Sequence, residues 1–196
     1  MSSLRHTADP RLDAYLDAAR HCILDVGWRR TTLTEVAKRA GVSRMTIYRA
    51  WPDMGSLLGD LMTREWVGIA AATRVAGADT TTPSGIAATA VAMVRALRDN
   101  ELFVRIVELD PDLMLPYLLS RRGRSQEALV ELLAAGIRNG QQDGTIRAGD
   151  AVLMARSLTL AGHGFVFSAQ TMSDDQVGLD DLDAEYAHLV TGALAP

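Results

Sequence analysis

Residues 32–51 read Thr-Leu-Thr-Glu-Val-Ala-Lys-Arg-Ala-Gly-Val-Ser-Arg-Met-Thr-Ile-Tyr-Arg-Ala-Trp, the pattern of a short helix, a tight glycine turn and a second short helix. Thr32 and Glu35 have the spacing of a capping box, in which the hydroxyl accepts from the third helical N–H and the carboxylate reaches back to the cap. Val36, Ala37 and Ala40 give the helix a small apolar face, with Lys38 and Arg39 pointing elsewhere. Gly41 is the expected left-handed stop, because a side chain there would be strained. Val42 can fill the angle between two helices, and Ser43 is a good N-cap for the second. That helix is predicted from about Arg44 to Trp51, ended by Pro52. Ile47 and Trp51, four apart, turn one side inward.

Arg44, Met45, Thr46, Tyr48 and Arg49 are left for the outer side. Arginine can bond guanine bidentately, and threonine can meet a base or the thymine methyl, so this mix suits base reading in a major groove. Tyr48 and the turn residues suit phosphate contacts. Thr31, Thr32, Ser43 and Lys38 are expected as secondary contacts. Local charge agrees. Residues 26–52 carry six cations (Arg29, Arg30, Lys38, Arg39, Arg44, Arg49) and one acid, Glu35, a net of +5. The whole chain is −4, so the remainder is −9. A basic face on an acidic chain is the footprint of a nucleic-acid contact surface.

Residues 32–53, from Thr-Leu-Thr-Glu to Ala-Trp-Pro-Asp, resemble the N-terminal DNA-binding domain of the tetracycline-repressor (TetR-type) family of bacterial transcriptional regulators. The resemblance runs from about Leu12 to Met62 and is most specific in Ala-Gly-Val-Ser and Thr-Ile-Tyr-Arg. Residues 100–117 are similar to regulatory domains of that family. One position departs from the pattern. After the aromatic-Pro pair the family usually places a phosphate-gripping lysine, and here the residue is Met54. The helix opening at Asp53 can still offer backbone N–H groups to a phosphate.

With 196 residues, 48% hydrophobic and 22% charged, the chain is in the range of globular proteins with a substantial core. The single cysteine, Cys22, excludes an intrachain disulfide and fits a reducing compartment. It falls on an apolar helical stripe and reads as a small buried hydrophobe rather than a redox switch. No signal-like N-terminus and no apolar run near the ~20 residues of a membrane helix is visible, so a cytoplasmic location is expected. The four histidines, His6, His21, His163 and His188, form no ligand-spaced pair, so no metal is expected. No cofactor motif is present, and no Ser/His/Asp set or phosphate loop supports an enzyme.

The remaining pattern is helical throughout. Asp9-Pro10 opens a first helix whose stripe runs from Leu12 to Val26, stopped by Gly27. Asp53 caps a helix expected to break near Leu61, weakened by Gly55, Gly59 and Gly68, and to resume from Met62 to Ala76. Residues 77–85 form the clearest loop. Further helices are predicted over about 84–99, 101–109, 110–119, 121–139 with a stop at Gly140, 151–170, and 181–194. The fold class is all-α, with about nine or ten helices. An N-terminal three-helix helix-turn-helix domain (1–55) is followed by a larger helical ligand-binding and dimerisation domain (56–196).

Reading a palindromic operator requires two recognition helices about one DNA turn apart, roughly 34 Å, and hence a homodimer. The last two long helices are the expected interface. Val152, Leu153, Ala155, Leu158, Leu160, Ala161 and Phe165 make the penultimate helix apolar around much of its circumference, and Tyr186, Leu189, Val190 and Ala193 stripe the last. The resemblance implies a repressor that a small hydrophobic effector releases from its operator. Trp66, Met93, Phe103, Val107, Met114, Tyr117, Met154, His163 and Phe167 are pocket candidates, since few charges stand beside them. The same residues suit plain core packing. His163 lies between Gly162 and Gly164 inside a predicted helix, which indicates close approach either of another helix or of a ligand. Two further functions stay open at this point: an activator of the same fold, and an all-α adaptor whose helical hairpin binds protein rather than DNA.

Overall fold

A computed structural model of the chain describes residues 10–73 and 77–196. Among these residues there is no strand. Ten α-helices follow in order: α1 (Pro10–Val26), α2 (Leu33–Arg39), α3 (Arg44–Ala50), α4 (Met54–Ala72), α5 (Pro83–Arg98), α6 (Glu101–Leu109), α7 (Leu115–Leu119), α8 (Arg124–Gln142), α9 (Ala151–Phe167) and α10 (Leu179–Leu194). Short 3-10 turns occupy Pro111–Leu113 and Ala169–Met172. The expected cap at Asp9 and the expected helix end at Ala76 lie outside the described residues.

The chain forms two compact units. The first holds residues up to Gly68 together with 100–122, and the second holds 69–99 and 123–196. These units do not follow the functional division drawn at residue 55/56 from the sequence. They part within α4, and α6 and α7 join the helix-turn-helix in one body.

In the first unit, Ile23, Val36, Ile47, Trp51, Leu57 and Leu61 are almost wholly buried around one core, joined by Leu102 and Ile106 of α6. Arg64 of α4 ties to α1 through Asp17 Oδ1 at 2.8 Å and the carbonyl of Asp13 at 2.9 Å. The expected break near Leu61 does not occur. Leu57 and Leu61, both fully buried, keep α4 continuous through Gly55 and Gly59, and packing outweighs about 1 kcal/mol of lost propensity at each.

In the second unit, α5, α8, α9 and α10 enclose Ile86, Val94, Ile137, Ala155, Tyr186 and Val190. Asp183 of α10 is buried and accepts from Arg95 Nε at 2.6 Å and from Arg98 Nη2 at 2.6 and 2.7 Å, which fixes α10 against α5. Although its local sequence predicts a stop, Gly140 does not end α8; the helix continues to Gln142. A Cβ on Gly140 would stand 2.2 Å from the carbonyl oxygen of Thr81, so close packing explains this glycine, and Gly144, at φ 73°, makes the turn instead. The helix expected to reach residue 170 ends at Phe167, where the chain tightens into a 3-10 turn.

Candidate nucleic-acid interface

The α2–α3 element is built as its capping residues require. Thr32 Oγ1 accepts the Glu35 N–H at 3.2 Å, while Glu35 Oε2 accepts the Thr32 N–H at 2.9 Å, closing the capping box. Gly41 takes φ 68° and turns the chain. Ser43 Oγ accepts the Thr46 N–H at 3.2 Å and starts α3. Ile47 is fully buried and Trp51 is 2% exposed, with its indole N–H donating to Asp60 Oδ2 at 3.0 Å. These two anchors fix which side of α3 remains outside. The acceptor on Asp60 was not foreseen from the sequence, since a carboxylate at that spacing carries no pattern of its own.

Outside stand Arg44, Met45, Tyr48 and Arg49, all exposed, Met45 at 68% and Tyr48 at 46%. Thr46 is half-buried, and its hydroxyl lies 2.9 Å from Ser43 Oγ. Thr32, Lys38 and Ser43 are exposed along the same element. Thr31, expected as a secondary contact, is 4% exposed, and its hydroxyl donates to the Gly27 carbonyl at 2.8 Å, so it builds the α1–α2 turn. Met54 is half-buried and packs on the first unit's core, so it offers no polar group where the family pattern has its lysine. Asp53 Oδ1 accepts the Ser56 N–H at 2.7 Å, and this bond holds its carboxyl below the usual range.

The six cations divide. Arg39 pairs with Asp25 at 2.5 Å, and Arg29 pairs with Asp110 at 3.3 Å and with Asp112. Arg30, Lys38, Arg44 and Arg49 make no ion pair with another described residue. Four exposed cations on and around a buried-anchored helix can meet phosphates without first breaking a bond inside the protein.

Residues 16–61 match the model of the bacterial regulatory proteins of the tetR family. An uncharacterised HTH-type transcriptional regulator of Mycobacterium bovis is 35% identical over 179 residues, covering 91% of this chain and 92% of that one. The chain belongs to the tetR family. It is a transcriptional regulator with a DNA-binding domain, not an enzyme. Solved structures of this TetR-family chain's fold include the regulator FadR of Bacillus subtilis in complex with stearoyl-CoA (TM-score 0.66, 18% identity, 93% of this chain and 98% of that one). Another is SmeT, repressor of a Stenotrophomonas maltophilia multidrug efflux pump (TM-score 0.64, 20% identity, 98% and 93%). No helix among the described residues is long and apolar enough to cross a membrane.

The pocket candidates of this TetR-family regulator fall into both units. In the first, Trp66 and Phe103 meet edge to face with ring centroids 6.5 Å apart, and Phe103 is buried. Val107 is half-buried, and Met114 packs on the core of the unit. Tyr117 is at the surface, under the Arg121 guanidinium at 4.9 Å. In the second, Met93 is half-buried and Met154 is buried in the core. His163 meets Phe167 edge to face at 6.4 Å, and Gln126 Nε2 stands 3.4 Å from His163 Nε2. Burial pushes the His163 imidazole below its ordinary pKa. Of its two flanking glycines, Gly162 has a packing reason: a Cβ there would lie 2.9 Å from the Tyr186 hydroxyl. Beside Gly164 the space is open.

Proposed function

We propose that this TetR-family chain acts as a homodimeric repressor on a palindromic operator and is released from it by a small hydrophobic effector. The observation that carries the DNA-reading part is the face of α3. Arg44, Met45, Tyr48 and Arg49 project from a helix that Ile47 and Trp51 pin to the core and Ser43 caps. Arg44 and Met45, in the first turn, address bases, while Tyr48, Arg49, Thr32, Lys38 and Ser43 address phosphates. Thr46 adds a methyl edge beside them.

Dimerisation is supported by what α9 and α10 leave uncovered. Ala155, Leu158, Tyr186 and Val190 serve the unit's own core, while Leu153, Leu160, Ala161, Leu189 and Ala193 are exposed. Leu160 is 72% exposed on a helix of mostly apolar residues, a surface that a second copy would cover. In functional terms residues 1–55 read DNA, and 56–196 dimerise and hold the effector. The regulator works in the cytoplasm, where its operator is.

Two structural relatives support the rest: one is a repressor and one holds an acyl thioester. An effector shifts DNA binding only by its differential affinity for two states of the dimer. Sedimentation of the protein alone, followed by anisotropy on a random-sequence duplex at two salt concentrations, tests the reading. It requires a dimer whose DNA affinity falls steeply with salt. A monomer with salt-independent or absent DNA affinity would contradict it.

A further inference from the structure

The turn between α1 and α2 is held by residues some 80 positions further along the chain. Asp110, at the C-terminal end of α6, is 2% exposed, and its Oδ2 accepts the backbone N–H of Trp28 at 2.9 Å. Its Oδ1 lies 3.3 Å from Arg29 Nε, and Asp112 takes the other end of that guanidinium. Leu109 covers Gly27, which stands at φ 84°; a Cβ there would meet Leu109 Cδ1 at 3.2 Å. Arg105 Nε donates to the Leu24 carbonyl at 3.1 Å, taking one of the open acceptors at the end of α1. All of these residues belong to one compact unit.

From these contacts we propose that Asp110 is a positioning residue for DNA reading, acting through the α1–α2 turn. This rests on the DNA-reading function proposed above. The turn runs Gly27-Trp28-Arg29-Arg30-Thr31 and leads directly into the Thr32 cap of α2. Inside it the Thr31 N–H donates to the Trp28 carbonyl at 3.0 Å and the Thr31 hydroxyl donates to the Gly27 carbonyl. The Trp28 N–H itself has its acceptor on Asp110. Without that carboxylate the turn must leave a backbone donor unpaired or take another pose, and another pose moves the cap from which α2 and then α3 start. DNA affinity falls in proportion to the fraction of molecules holding the competent pose. An acidic side chain far outside the helix-turn-helix thereby sustains binding to a polyanion, opposite to what its charge alone would do.

The test compares full-length variants by Trp28 amide hydrogen exchange and by anisotropy on a random-sequence duplex at low salt. Asp110→Ala should speed Trp28 exchange and weaken DNA binding by about tenfold, the scale of orphaning one buried donor. Asp110→Asn keeps an acceptor for the Trp28 N–H and should recover most of both. Ile106→Val, a packing change in the same helix away from the turn, should bind DNA as the parent does when compared at equal loss of Tm. Three outcomes overturn the proposal: Asp110→Ala with unchanged exchange, Asp110→Ala with fast exchange but parental DNA affinity, or Ile106→Val losing as much affinity as Asp110→Ala. Should Asp110→Ala not fold, Leu109→Ala loosens the same turn while leaving every polar group paired. It must speed exchange and weaken binding, and parental behaviour on either count overturns the proposal. A parent protein that does not bind DNA at all sinks the DNA-reading function, and the positioning role with it. The exchange data then still report whether the clamp exists, so the two failures are distinguishable.

Discussion

Ser43 and Thr46 share a hydroxyl pair at the start of α3: Ser43 Oγ is 2.9 Å from Thr46 Oγ1 and accepts the Thr46 N–H at 3.2 Å. α3 has only seven residues, too few to be stable by propensity, so its first turn depends on that cap and on Ile47 and Trp51 behind it. Ser43→Ala should therefore cost about 1 kcal/mol in urea unfolding and also weaken DNA binding. Ser43→Asp should restore the stability but not the affinity, because its charge would face phosphates. Recovery of both by aspartate would place Ser43 outside the contact surface.

Arg44 and Tyr48 are both exposed on α3 but should fail differently. Arg44→Ala should cost about 1–3 kcal/mol on the preferred base pair and much less on operators already altered there. Tyr48→Ala should weaken binding to all sequences alike. Anisotropy on a matched set of single-base operator variants checks both, and equal losses for Arg44→Ala across the set would remove its base-reading role.

The helix-turn-helix was legible because its signals are local. The Thr32 cap with Glu35, Gly41, Ser43 and the Ile47/Trp51 spacing each name a backbone conformation within a few residues, and each is found where expected. Longer-range relations were not legible. Gly140 carries the local signature of a helix stop, and only the distant Thr81 carbonyl shows why it sits within α8. Thr31 has the chemistry of a phosphate contact, but the Gly27 carbonyl claims its hydroxyl. Asp110 reads locally as a helix opener before Pro111, with nothing to reveal its bond to Trp28 across 82 positions.

Gly162 and Tyr186 form a tight pair in the second unit, with the hydroxyl 2.9 Å from the site of a Cβ on the glycine. Gly162→Ala should destabilise by about 1–3 kcal/mol through overpacking. Adding Tyr186→Phe, which removes the clashing oxygen, should return much of it. A double-mutant cycle in urea reads the coupling, and strict additivity would mean the strain lies elsewhere.

Burial pushes the Tyr186 hydroxyl up to about 12 from 10. A folded-state pKa above the unfolded one gives stability that is complete below pH 10 and is lost as the pH rises through 12. The loss is about 2–3 kcal/mol, since each tenfold change in acidity between the folded and unfolded chain is worth roughly 1.4 kcal/mol. The difference between the parent and Tyr186→Phe in urea unfolding should therefore change by that amount between pH 10 and pH 12. A difference independent of pH over this window would show the hydroxyl to be solvated.

Leu153 and Leu160 are both exposed on α9, two turns apart. Replacing both with glutamate should leave the monomer's fold intact by circular dichroism but abolish the dimer by sedimentation. Affinity for a palindromic operator should fall far more than affinity for random DNA, because only the palindrome uses both copies. A dimer that survives the pair of charges would place the interface on another face.

Selection of bound duplexes from a random double-stranded pool reads operator symmetry and base preference together. The expected winner is a palindrome with half-sites about one helical turn apart, whose affinity falls steeply with salt and loses base preference at one position per half-site in Arg44→Ala. Failure to enrich any sequence at low salt, or enrichment of a non-palindromic sequence indifferent to Arg44, would contradict it.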